Sequence, residues 1–78
     1  MASKIPCEES QIRLIPVTSF GRSCICQFGE NAEVLISERS KFCVLSEFGF
    51  WSWIRRDDLH FDWEVVSETT SPIVHFVN

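Results

Sequence analysis

Between Phe48 and Val66 the chain reads as a strand, a charged corner and a second strand, and residues 59–65 alternate more clearly than any others. Leu59, Phe61, Trp63 and Val65 fall on one side of an extended chain; His60, Asp62 and Glu64 fall on the other. Side chains of a strand point alternately to opposite faces, so a period of two marks a sheet with one dry and one wet face. The same stretch holds all three tryptophans, three of the seven phenylalanines and four of the eleven acids. Residues 50–55 form the strand before it. Phe50, Ser52 and Ile54 share one face, and Trp51, Trp53 and Arg55 share the other. Between the two strands, Arg56, Asp57, Asp58 and Leu59 are too polar for a strand and too few for an α-helix. A short 3₁₀ turn is expected over 56–59, with an Asp side chain capping local N–H groups.

Upstream, turn residues punctuate short apolar runs. Residues 12–17 make a candidate strand, with Pro16 placing it at an edge or an end. Residues 18–21 are expected to be a loop. Over 22–28, Cys24, Cys26 and Phe28 alternate with Ser23, Ile25 and Gln27, and Gly29-Glu30-Asn31 can turn the chain. Residues 32–37 then return, with Val34 and Ile36 on one face, so 22–37 is expected to be a β-hairpin. Residues 41–46 are apolar on both faces, as in a strand with neighbours on both sides. No segment carries three turns of amphipathic helical spacing. The fold class expected is therefore all-β: a small antiparallel barrel or curled sheet of five to seven strands. Residues 1–11 read as a flexible or lightly docked arm, 12–67 as the β domain, and 68–78 as a linker with a further edge strand at 73–77.

Seventy-eight residues make one domain with a thin core. A composition 45% hydrophobic and 13% aromatic is that of a folded chain, not a disordered tail. The thin core leaves little room for a deep substrate pocket. The formal net charge of −4 argues against a general nucleic-acid binder and permits a basic protein partner. Met1, Ala2, Ser3 and Lys4 precede no apolar run, so neither a signal peptide nor a transmembrane segment is expected, and the location expected is cytoplasmic. There, Cys7, Cys24, Cys26 and Cys43 are expected to be free thiols.

No catalytic, metal or cofactor signature stands out. Residues two apart on a strand sit about 7 Å apart, unlike the converging thiolates of a C-x-x-C turn, so Cys24 and Cys26 make a poor zinc pair. Cys43 and His60 could be drawn as a dyad, but no nucleophile elbow or phosphate loop accompanies them. The candidates with most content are aromatic and acidic. Trp51, Trp53 and Phe48 are apolar anchors with Arg55 beside them, if the tryptophan face points outward; the alternative is that this face is the core. Asp57, Asp58, Asp62 and Glu64 form an acidic strip that could steer association with a basic surface.

Over residues 41–66 the order of elements resembles the close of a Src-homology-3-like barrel. Trp53 and Ile54 end one strand, residues 55–59 make a short turn, and another strand follows. In that family a strand carrying Trp or Gly leads into a 3₁₀ turn and a last strand. The resemblance implies the barrel shape alone. The acidic Ala-Leu-Tyr-type first strand of the signalling members is absent and the chain has no tyrosine, so binding of proline-rich peptides does not carry over.

The function expected is that of a small acidic protein–protein interaction module, monomeric or homodimeric. It would act as a stoichiometric inhibitor or adaptor that binds a host protein. In build it is similar to proteins that phages and mobile elements carry against host nucleases, anti-CRISPR proteins among them. Two alternatives stand beside it. One is an oligomeric enzyme or ligand-binding barrel with its site at a subunit interface, as in the small-barrel dihydrofolate reductases. The other is a nucleic-acid-binding barrel.

Overall fold

A computed structural model describes residues 5–68. Six elements follow in order: β1 (Gln11–Pro16), α1 (Ser19–Phe28), β2 (Asn31–Ser37), β3 (Lys41–Ser46), β4 (Trp51–Arg55) and β5 (Phe61–Ser67). The strands form one antiparallel sheet in the order β4-β3-β2-β1-β5. The expected small antiparallel β fold is thus present, at the five-strand end of the range. Strands β2, β3 and β4 are a meander, while β5 returns across the chain to pair with β1. The C-terminal strand expected at 73–77 lies outside the described residues.

The register settles which face is dry. Ile12 stands opposite Ala32 and Val65, Leu14 opposite Trp63, Val34 opposite Val44, and Phe42 opposite Ile54. Ile12, Leu14, Ala32, Val34, Phe42, Val44, Ile54 and Trp63 make the buried cluster on that face. Phe42 and Trp63 meet edge to face, with ring centroids 4.7 Å apart. Fully burying a large apolar side chain stabilises by about 1.5–3 kcal/mol, so this single layer carries most of the driving force. Residues 5–10 dock beside β2. Glu9 N–H donates to the Val34 carbonyl and Val34 N–H donates to the Ser10 carbonyl, while Ile5 packs on the core.

The expected strand over 22–28 is instead helix α1, so the hairpin expected over 22–37 does not form, and β2 pairs with β1 and β3. Thr18 caps the start, its hydroxyl accepting the Gly21 N–H at 3.0 Å. Gly29 ends the helix at φ 97°, its N–H donating to the Ile25 carbonyl. Gly21, Ile25 and Phe28 follow helical spacing, and Ile25 and Phe28 pack on the core. The strand-like alternation of Cys24, Cys26 and Phe28 covers too few residues to override this pair of end signals. Gly21 is buried where the helix crosses the β4–β5 loop. A Cβ there would lie 2.4 Å from the His60 carbonyl oxygen.

A second correction concerns β2. Its register with β3 shifts between Val34 and Ile36, so Leu35 is an extra residue. Val34 points into the core, whereas Ile36 stands opposite Cys43 on the other face. One inserted residue moves every later side chain to the opposite face, which undoes the expectation that the two share one.

Between β4 and β5 the chain makes the expected single turn, with one i→i+3 bond from Asp58 N–H to the Arg55 carbonyl at 3.1 Å. The expected Asp cap is present. One carboxylate oxygen of Asp58 accepts the N–H groups of His60 and Phe61 at 2.8 and 3.0 Å.

Candidate functional site

The β3–β4 hairpin is built to hold aromatic side chains out. Ser46 is buried, and its hydroxyl accepts the N–H groups of Phe48 and Phe50, each at 3.2 Å. Its own N–H donates to the Phe50 carbonyl at 2.6 Å, and Gly49, at φ 92°, returns its N–H to the Ser46 carbonyl. With the turn so fixed, Phe48, Phe50 and Trp51 are 61%, 56% and 64% exposed, and Trp53 is 39% exposed. The face of β4 that carries the tryptophans is therefore the outer one. Ile54 turns into the core, while Ser52 stays exposed on its own side.

Charge borders this aromatic run. The Lys41 ammonium sits 4.6 Å from the Trp53 ring centre, a cation–π contact. Arg55 lies opposite Lys41 in the strand register, its guanidinium 3.9 Å from the Asp57 carboxylate. Glu47 ties the hairpin to the start of β2. Its carboxylate accepts the Asn31 side-chain amide at 3.2 Å and the backbone N–H groups of Asn31 and Glu30 at 3.4 and 3.2 Å.

Those bonds, the Asn31 side-chain amide first, hold the Glu47 carboxyl below the ordinary glutamate value of 4.5. A carboxyl lowered by folding adds stability above that ordinary value, and the contribution is lost as pH falls through the lowered one. Glu47→Gln cannot titrate. Its melting temperature is expected to fall less steeply than that of the native chain between about pH 5 and about pH 3. Identical slopes in thermal melts across that range would remove Glu47 from the acid limb.

The structure divides the acidic strip. Asp57, Asp58 and Asp62 gather with Val17, Ser40, Arg56 and Phe61 around an open hollow of about 680 Å³. Glu64 stands apart, ion-paired with Arg13 across β5 and β1 on the outer face. Such an exposed pair is worth about 0–1 kcal/mol. Of the residues singled out in the sequence, Phe48, Trp51, Trp53 and Arg55 share the hairpin and β4. Asp57, Asp58 and Asp62 share the hollow just beyond the end of β4.

Sequence reasoning missed a third feature, an apolar cleft of about 270 Å³ between α1 and β4. Phe20, Cys24 and Phe28 line its helix side, and Ser52, Trp53 and Ile54 line its strand side. Phe20 reads as a loop residue until Thr18 is recognised as a helix cap. Its ring lies 4.7 Å from that of His60, whose Nδ1 is hydrogen-bonded to the Thr18 hydroxyl at 2.8 Å.

The four cysteines are free. Cys43 is buried on the sheet face away from α1, and burial pushes its thiol up. This sets it apart both from Cys24 and Cys26 on the helix and from His60, so the dyad that could be drawn in sequence is not assembled. Among the described residues no cluster of three His, Cys, Asp or Glu side chains could hold a metal ion. None of their helices is long and apolar enough to cross a membrane. Neither a family model, nor a curated protein, nor a solved structure matches the chain.

Proposed function

We propose that this protein is an interaction module of the inhibitor or adaptor kind, which presents the β3–β4 hairpin to a protein partner. One observation carries the reading: Phe48, Phe50, Trp51 and Trp53 stand exposed within six residues, on a turn locked by a buried serine. Large exposed aromatics gathered along one hairpin of so small a domain mark a contact site, and aromatic residues beside arginine are the side chains that dominate interface energies. Because the turn is fixed before contact, little ordering entropy is lost on binding. Asp57, Asp58 and Asp62, which line the hollow beyond β4, supply the field that steers a basic partner.

The test is capture from lysate of the source organism with the native chain beside a Phe48→Ser/Trp51→Ser variant. Both positions are exposed, so the variant should melt within a few degrees of the native chain. One stoichiometric partner that the native chain holds and the variant loses is expected. Identical captured sets would dismiss the hairpin as the contact site.

A further inference from the structure

Among the described residues no strand covers the outer edge of β4. Next to it, the Ser46 N–H bonds the Phe50 carbonyl and the Arg56 N–H bonds the Ser40 carbonyl. Hydrogen-bonded pairs alternate along antiparallel strands, so Phe50, Ser52, Ile54 and Arg56 turn their backbone groups toward β3. Trp51, Trp53 and Arg55 consequently aim theirs outward. The Arg55 carbonyl is taken by Asp58 N–H, and the Trp53 carbonyl accepts the Ser52 hydroxyl at 3.4 Å. Three N–H groups and the Trp51 carbonyl remain without a protein partner among the described residues.

Natural edges are blunted by proline, bulges or inward-pointing charge. β4 has neither proline nor a register shift, and its one charged residue is the last. The edge also borders an apolar channel. The cleft beside α1 continues past Cys24, Phe28 and Ser52 into a second hollow of about 330 Å³ at Phe50 and Trp51. At its other end Asp58 and Phe61 line both the cleft and the acidic hollow.

We propose that this edge takes an extended segment of a partner protein as an added strand, antiparallel to β4. The inference rests on the protein-binding reading above and specifies how the partner is held. Main-chain bonds to Trp51, Trp53 and Arg55 set its register. Apolar side chains at alternate positions enter the cleft between α1 and β4. A lysine or arginine at the segment's N-terminal end lies over Asp57, Asp58 and Asp62, because an antiparallel strand begins where β4 ends. Strand addition with alternating pockets is an established way of reading an extended peptide; here the acidic hollow fixes which end carries the basic residue.

The probe is a displayed library of random linear peptides roughly ten residues long, about the length of a strand, selected on the immobilised full chain. The expected consensus alternates apolar residues and opens with a basic one. With a selected peptide bound, exchange of the Trp51, Trp53 and Arg55 amide hydrogens should slow about tenfold or more. Trp53→Val keeps the outward N–H and loses the indole; Trp53→Pro loses both, at an edge position where proline is tolerated. The proline variant should bind the peptide about tenfold more weakly than the valine variant, one hydrogen bond's worth, with matching thermal melts.

Equal affinities of the two variants would overturn the proposal. So would a consensus at helical spacing, the absence of any enriched peptide, or β4 amides already protected in a chain that sediments as a dimer. Slowed exchange confined to Phe48 and Phe50 would also overturn strand addition while leaving the hairpin as a contact site. The lysate capture tests the module reading separately, so the two can fail independently.

Discussion

Phe42→Ala is expected to remove a large part of the protein's stability, whereas Phe48→Ala, six residues away, should leave it nearly unchanged. Phe42 is completely buried at the centre of the core face, opposite Ile54 and edge-on to Trp63. Removing such a ring costs about 3–5 kcal/mol, because the lost transfer free energy adds to a cavity that the sheet cannot close. A chain of this length has about 4–12 kcal/mol in all. The melting temperature should fall by roughly 15 °C or more, since each kcal/mol shifts a domain of this size by about 4–8 °C. Phe48 is exposed on the hairpin and should change stability by about 0.5 kcal/mol or less. Thermal melts of the two variants, run together, decide the matter. Similar melting temperatures would mean that the core is not centred on Phe42.

The second large effect is a substitution that would ordinarily help. In an open helix, Gly→Ala gains up to about 1 kcal/mol by lowering the entropy of the unfolded chain. Gly21→Ala should instead cost about 2 kcal/mol or more. Its methyl group would meet the His60 carbonyl oxygen at 2.4 Å, and that oxygen also accepts the Val17 N–H at 2.9 Å. The obstacle is backbone held at both ends, so relief requires lifting α1 or breaking the bond to Val17, a case of overpacking. Urea unfolding with Arg22→Ala as the exposed control measures the difference. A Gly21→Ala chain as stable as the native one would mean that the helix does not press on this loop.

The sequence revealed the strands where burial imposes a period. Alternation through Phe61 and Trp63 located β5, the doubly apolar run 41–46 located an interior strand, and Gly49 located the hairpin from β3 to β4. Helix α1 escaped because residues 22–28 satisfy both periods, and Thr18 and Gly29 signal a helix only when considered together. Leu35 gave no sign of a bulge, since an inserted residue changes no composition. The face of β4 was ambiguous for a physical reason. Hydrophobicity favours burying Trp51 and Trp53, yet β4 is an edge strand where only Ile54 reaches the core, so the smaller set turned inward. Of the site, the aromatic anchors and the acids beyond β4 were visible as residue types. The cleft was not, because one of its walls is the unforeseen helix.

The pairing of β1 with β5 also governs the route by which the sheet assembles. Strands β2, β3 and β4 are joined by short turns and can zip from local contacts, but Gln11 meets Ser67 only after the whole intervening chain is in place. The entropy of closing that long loop must be met before its contacts contribute, which makes β5 docking the natural bottleneck. Substitutions in the meander, at Val34 or Val44, would then alter how readily the nucleus forms, whereas those at Leu14 or Trp63 would chiefly alter how long the finished fold survives. The first strand of the sheet would wait for the last.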